Sequence, residues 1–68
     1  MIIFSERLKE LRILEGYSQK QMAEKLCLRQ QSYLRYENNG EPSLSTLAKI
    51  AKLFDVSTDY LLGLKDEY

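Results

Sequence analysis

Between Ser18 and the turn cluster Asn38-Asn39-Gly40-Glu41-Pro42, the chain holds two amphipathic helical segments with only Cys27-Leu28-Arg29 to connect them. Ser18 is a favoured N-cap for the first segment, which turns Met22, Ala23 and Leu26 to one face. The second, from Gln30 to Asn38, has no breaker and spaces Tyr33 and Tyr36 at i, i+3. Two helices of about eight or nine residues with so short a joint cannot lie antiparallel; they must cross steeply, as in a helix-turn-helix. Ala23 is small where the two axes approach, and Tyr33 and Tyr36 hold the second segment on the core. That leaves Gln30, Gln31, Ser32, Leu34, Arg35 and Asn38 facing outward.

Three more helices are expected around this pair. Ser5 is placed to cap a first helix carrying Leu8, Leu11 and Leu14 inward, with Gly16 as its stop. Ser43 opens a fourth helix, whose stripe of Leu44, Leu47, Ile50, Ala51 and Phe54 is the cleanest 3.6-residue period in the chain. Ser57 caps a short fifth helix from Thr58 to Leu62, ended by Gly63. No stretch alternates at period two, so the expected class is all-α, with five helices in a single domain over residues 1–68.

Composition narrows the function. Sixty-eight residues give one marginal core, which favours regular helices, a partner chain, or both. With no histidine and one cysteine, Cys27, the chain has no means to build an intrachain disulfide, the usual zinc sites, or a Ser/His or Cys/His nucleophile pair. An enzyme is therefore not expected, nor any metal or cofactor. The opening Met1-Ile2-Ile3-Phe4 is too short for a signal peptide or a membrane span, so a cytoplasmic location without membrane association is expected. Net charge is zero, but residues 1–40 carry seven basic and five acidic side chains, and residues 41–68 three basic and five acidic. The first half is thus weakly basic.

Many separate positions agree at fixed spacing with one family. Arg7-Leu8 and Arg12, Gly16-Tyr17-Ser18-Gln19, Met22-Ala23, Tyr33, Glu37-Asn38, Pro42-Ser43-Leu44, Ile50-Ala51 and Val56-Ser57 carry the match. Over residues 7–62 the chain resembles the Cro/C1-type helix-turn-helix regulators, the lambda-repressor-like DNA-binding domains, with the helix-turn-helix itself at 19–38. Gln30-Gln31-Ser32 is similar to the start of the recognition helix in lambdoid phage repressors.

The resemblance implies sequence-specific binding to double-stranded DNA, with the third helix in the major groove. The residue chemistry agrees: glutamine pairs bidentately with adenine, arginine with guanine, and an exposed leucine packs on a thymine methyl. Gln30 and Gln31 are the foremost base-reading candidates and Arg35 the next, followed by Ser32 and Leu34, though Leu34 also reads as a scattered surface apolar residue. Gln19, at the head of the second helix, is implied as a phosphate clamp and a brace for Gln30. Asn38 and Asn39 are candidate phosphate contacts through backbone or side-chain N–H groups, and Lys20 and Arg29 add non-specific attraction. The resemblance also pairs Arg12 with Glu37 in a largely buried salt bridge that fixes the third helix against the first.

Three departures stand out. Cys27 occupies a turn position where the family usually has glycine, so a positive φ there would carry about 1–2 kcal/mol of strain. Cys27 itself is expected as a small, half-buried residue. Arg29 stands where Ser or Thr commonly caps the third helix, and is free to reach phosphate instead. The loop between Glu37 and Pro42 is short and lacks the usual basic residues.

An isolated domain of this kind reads only a few base pairs, which favours a symmetric homodimer on an inverted repeat. Tyr60, Leu61, Leu64 and Tyr68 are the candidate interface, with Met1-Ile2-Ile3-Phe4 packing on that end as an extended arm. No second domain for ligand sensing or self-cleavage is apparent in the sequence, so no small-molecule ligand is expected. The implied role is a minimal phage, plasmid or restriction–modification regulator, with repression as the default. The alternative is a protein–protein adaptor or antitoxin on the same fold, but a Gln-Gln-Ser face is poor material for an apolar interface.

Overall fold

The computed structural model describes residues 1–68 as five helices: α1 (Ile2–Glu15), α2 (Gln19–Lys25), α3 (Gln30–Glu37), α4 (Leu44–Phe54) and α5 (Thr58–Leu61). There are no strands, and the class is all-α. Three of the helices start on serines as their side chains dictate. Ser18 Oγ accepts from the Gln21 amide while the Gln21 side chain returns to the Ser18 N–H, a complete capping box. Ser43 Oγ accepts from Thr46 N at 3.2 Å and Ser57 Oγ from Tyr60 N at 3.0 Å.

Ser5 does otherwise. Helix α1 begins at Ile2, four residues earlier than a Ser5 cap would set it, and Ser5 lies buried within it. The reason is Phe4, which is fully buried. Taking such a ring out of water is worth about 1.5–3 kcal/mol, more than the roughly 1 kcal/mol of a cap. The opening residues are therefore helical rather than an extended arm, although Ile3 does reach the C-terminal end: a Cβ on Gly63 would lie 2.7 Å from Ile3 Cγ2.

The core draws Phe4, Leu8 and Leu11 from α1, Met22 and Ala23 from α2, Leu26 just after it, Tyr33 from α3, Leu47 and Ile50 from α4, and Tyr60 and Leu61 from α5. Several expectations from periodicity fail at helix ends. Leu14 is 71% exposed and Leu44 is 86% exposed, because the last turn of α1 and the first of α4 overhang the core. Tyr60 and Leu61 were expected to supply interface surface, but they complete the core, leaving Leu64 and Tyr68 exposed. The tail folds back on α5 through Arg7. Its Nη1 donates to the Tyr60 and Lys65 carbonyls, its Nη2 pairs with Asp66 at 3.0 Å, and its guanidinium lies 4.3 Å from the Tyr60 ring centroid.

Every helix ends on a residue with positive φ: Gly16, Cys27, Asn39, Asp55 and Gly63. Four of these ends carry the same two hydrogen bonds, from the left-handed residue and from its successor back to the last turn. After α2 they run Cys27 N to Glu24 O (3.1 Å) and Leu28 N to Ala23 O (2.8 Å). This is how three residues suffice to join α2 to α3. Cys27 sits at φ 56° and is exposed rather than half-buried, since a left-handed closing residue projects away from the helix it ends.

A left-handed cysteine is strained by about 1–2 kcal/mol, while glycine loses about 0.5–1 kcal/mol more backbone entropy on folding. Cys27→Gly is therefore expected to stabilise the domain by about 0.5–1 kcal/mol. Thermal melts followed by circular dichroism should show this as a higher midpoint; a lower one would mean that the thiol makes a compensating contact.

Candidate nucleic-acid interface

The outer face of α3 is set by what its inner face holds. Tyr33 is fully buried, and its hydroxyl donates to Glu37 Oε2 one turn along the same helix. Arg12, from α1, donates to the same carboxylate through Nε at 2.6 Å and Nη2 at 3.3 Å, and through Nη1 to the Tyr17 carbonyl at 3.0 Å. Gln19 Nε2, from α2, donates to Glu37 Oε1 at 3.2 Å. One carboxylate, its side chain only 3% exposed, thus gathers donors from three helices.

The electrostatics follow. Burial pushes the Glu37 carboxyl upward, but hydrogen bonds from Arg12, Tyr33 and Gln19 outweigh it, and its pKa lies below the ordinary 4.5. The hydrogen bond to Glu37 raises Arg12 against the opposing effect of burial, so the guanidinium stays charged. Tyr33 is pushed up chiefly by burial and further by its carboxylate partner; it serves only as a donor here.

With that side fixed, Gln30, Gln31 and Arg35 are exposed, while Ser32 and Leu34 are half-buried. Lys20 and Arg29 are exposed, and neither they nor Arg35 is ion-paired, in contrast to Arg7 and Arg12. Arg29 is the N-cap residue of α3 and makes no side-chain cap. The structure brings these groups to α3 and to the turn before it, with Lys20 on the first turn of α2.

Other candidates are differently engaged. Gln19 braces Glu37 and makes no hydrogen bond to Gln30. A charged acceptor competes better for an amide N–H than a neutral one does. The N–H groups of the Asn38-Asn39 turn are already used: Asn38 N donates to Arg35 O, Asn39 N to Ser5 Oγ, and Asn38 Nδ2 to Leu34 O. Only the Asn39 side chain remains without an internal partner. Two roles escaped the sequence. Tyr33 and Glu37 stand at i, i+4, a spacing that could have signalled their hydrogen bond; the Gln19–Glu37 contact has no comparable local signal.

Two short helices crossing through a left-handed turn, the second held from behind and polar in front, define a helix-turn-helix domain. The helix-turn-helix family profile matches residues 8–61, and the chain belongs to that family, in its Cro/C1 type. It is 48% identical over 61 residues to the SPbeta prophage-derived uncharacterized HTH-type transcriptional regulator YonR of Bacillus subtilis, covering 88% of this chain and 56% of YonR. Against the HTH-type transcriptional regulator ImmR of the same organism, identity is 49% over 63 residues, covering 91% of this chain and 49% of ImmR. The HTH-type transcriptional activator BcrR of Enterococcus faecalis is 35% identical over 61 residues, covering 88% of this chain and 30% of BcrR. The chain spans about half the length of the first two relatives. No helix is long and apolar enough to cross a membrane.

Because folding lowers the Glu37 pKa, the native state holds fewer protons than the unfolded chain as pH falls through 4.5. This stabilisation is complete above that value and drains away below it. Glu37→Gln should flatten the acid limb of stability measured by denaturant titration between roughly pH 5 and pH 3. Glu37→Ala strands the Arg12 charge and should destabilise by about 3–5 kcal/mol. An unchanged melting midpoint for the alanine variant would contradict the role assigned to this carboxylate.

Proposed function

We propose that this chain is a sequence-specific, double-stranded-DNA-binding transcriptional regulator that lays α3 in the major groove. The observation that carries the reading is the division of α3 into a locked side, Tyr33 and Glu37, and an exposed side bearing Gln30, Gln31 and Arg35. Those three side chains have the donors and acceptors that read purine edges. Ser32 and Leu34, half-buried, make closer and weaker contacts. Unpaired Lys20 and Arg29, with the Asn39 side chain, meet the phosphates. The domain does no chemistry of its own and acts by occupying a site in the cytoplasm. Its relatives are named as transcriptional regulators, one of them an activator. Repression by blocking polymerase needs nothing beyond occupancy of the site.

A homodimer on an inverted repeat is part of the same proposal, since doubling the reading helix doubles the sequence read and sets half-sites about one helical turn apart. With Tyr60 and Leu61 in the core, the seam falls to exposed Leu64 and Tyr68, joined by Ile2 and Ile3 at the neighbouring start of α1. Sedimentation with the preferred duplex should give two chains per site. A single chain per duplex, free and bound, would remove the dimer and leave the rest standing.

Selection from a randomised duplex library followed by sequencing tests the whole reading. Gln30→Ala and Gln31→Ala should each relax preference at one base position by about 1–3 kcal/mol while leaving the fold intact. Affinity for random duplex should fall steeply as salt rises. No retention of any duplex in dilute buffer would turn the assignment toward a protein-binding adaptor.

A further inference from the structure

The end of α3 differs from the other four helix ends, and the difference comes from outside the helix. After α1, α2, α4 and α5 the left-handed residue donates directly to the carbonyl three positions back: Gly16 N to Ile13 O, Cys27 N to Glu24 O, Asp55 N to Lys52 O and Gly63 N to Tyr60 O, at 3.0–3.3 Å. After α3 the outer bond of the motif is present, Gly40 N to Arg35 O at 2.8 Å, but the inner one is missing. In its place stands the hydroxyl of Ser5, from α1. Ser5 Oγ donates to Tyr36 O at 2.6 Å and accepts from Asn39 N at 2.8 Å, bridging the donor and acceptor that would otherwise bond each other. Ser5 is 3% exposed and Asn39 has φ 70°.

We propose that Ser5 is a positioning residue for DNA recognition, its hydroxyl wedged into the closing turn of α3 and setting where Arg35 and the Asn39 side chain stand against the duplex. The role rests on the reading of α3 as the major-groove helix. The wedge keeps Asn39 N and Tyr36 O from bonding each other directly. Without it, the turn can close directly, as four turns of this same chain do, and Asn39 moves with it. Gly40 ties the turn to Arg35, since a Cβ there would lie 2.6 Å from the Arg35 carbonyl oxygen and leave no room for a side chain. A shift of Asn39 therefore carries to the outward end of α3. With the backbone N–H groups of residues 38, 39 and 40 all bonded internally, the Asn39 side chain is what this turn has left to offer a phosphate.

The test compares wild type, Ser5→Ala, Ser5→Thr, Asn39→Ala and the Ser5→Ala/Asn39→Ala double variant on the duplex selected for the wild type, at a temperature well below every melting midpoint. Ser5→Ala is expected to fold, to change the hydrogen exchange of the Asn39 amide in the free protein, and to bind about tenfold more weakly, the scale of one lost hydrogen bond. Its salt slope should be shallower by about one phosphate contact. Asn39→Ala should cost little further in the Ser5→Ala background, and Ser5→Thr, which keeps the hydroxyl, should bind within about twofold of wild type. Ile50→Val, a buried change in α4, controls for lost stability alone and should leave affinity unchanged. Ser5→Cys, with a weaker donor and acceptor, replaces the alanine variant if that one shows no melting transition, with the same ordering expected. Wild-type affinity in Ser5→Ala, or independent losses from the two alanine changes, overturns the positioning role alone. Failure of the wild type to bind any duplex overturns the DNA reading and this role with it.

Discussion

The structure turns on one buried carboxylate. Glu37 receives two hydrogen bonds from Arg12 on α1, one from Gln19 on α2 and one from Tyr33 on its own helix. A buried ion pair adds little net stability once the desolvation of both charges is counted. Its contribution here is directional, because donors arriving from three helices meet the same two oxygens in only one arrangement. Apolar packing alone would tolerate small rotations of α3. This arrangement does not, and the rotation of α3 decides which side chains look outward.

Charge is divided along the same lines. The chain is neutral, yet two of its four arginines are consumed internally, Arg12 by Glu37 and Arg7 by the folded-back tail. The other two, Arg29 and Arg35, lie at the start and in the last turn of α3 with no acidic partner. Such a distribution gives a modest local field rather than a strongly basic surface, so selectivity would come from contacts to base edges more than from attraction to phosphate.

Legibility in the sequence followed range. The helix starts at Ser18, Ser43 and Ser57 and the stops at Gly16 and Gly63 are decisions made within four residues, and the structure has them where the pattern put them. The crossing of α2 and α3 was readable because a three-residue joint permits little else. Failures came where a residue's partner lay far along the chain. Ser5 looks like a cap by the same local rule that holds at Ser18, and only the burial of Phe4 and the distant turn at Asn39 make it something else. Leu14 and Leu44 belong to their helices' apolar stripes but overhang the core, which periodicity does not register. Tyr60 and Leu61 look like interface surface from their place near the C-terminus, but the small core takes them. On α3 the outward residues are legible from spacing, whereas the diversion of Gln19 to Glu37 and the internal use of the Asn38-Asn39 N–H groups depend on partners that only the fold brings together.

The repeated left-handed helix endings also bear on how the chain reaches its native state. Each reversal is closed by bonds spanning three to five residues, so most of the topology is decided by segments that find their shape in about a microsecond without help from the rest. The longest side-chain closures are three: residue 5 to the turn at 39, residue 12 to 37, and residue 7 to the tail. All three belong to α1. The barrier to folding should accordingly be the landing of that first helix on an already formed α2–α3 pair, a late docking event rather than a search through alternative turns.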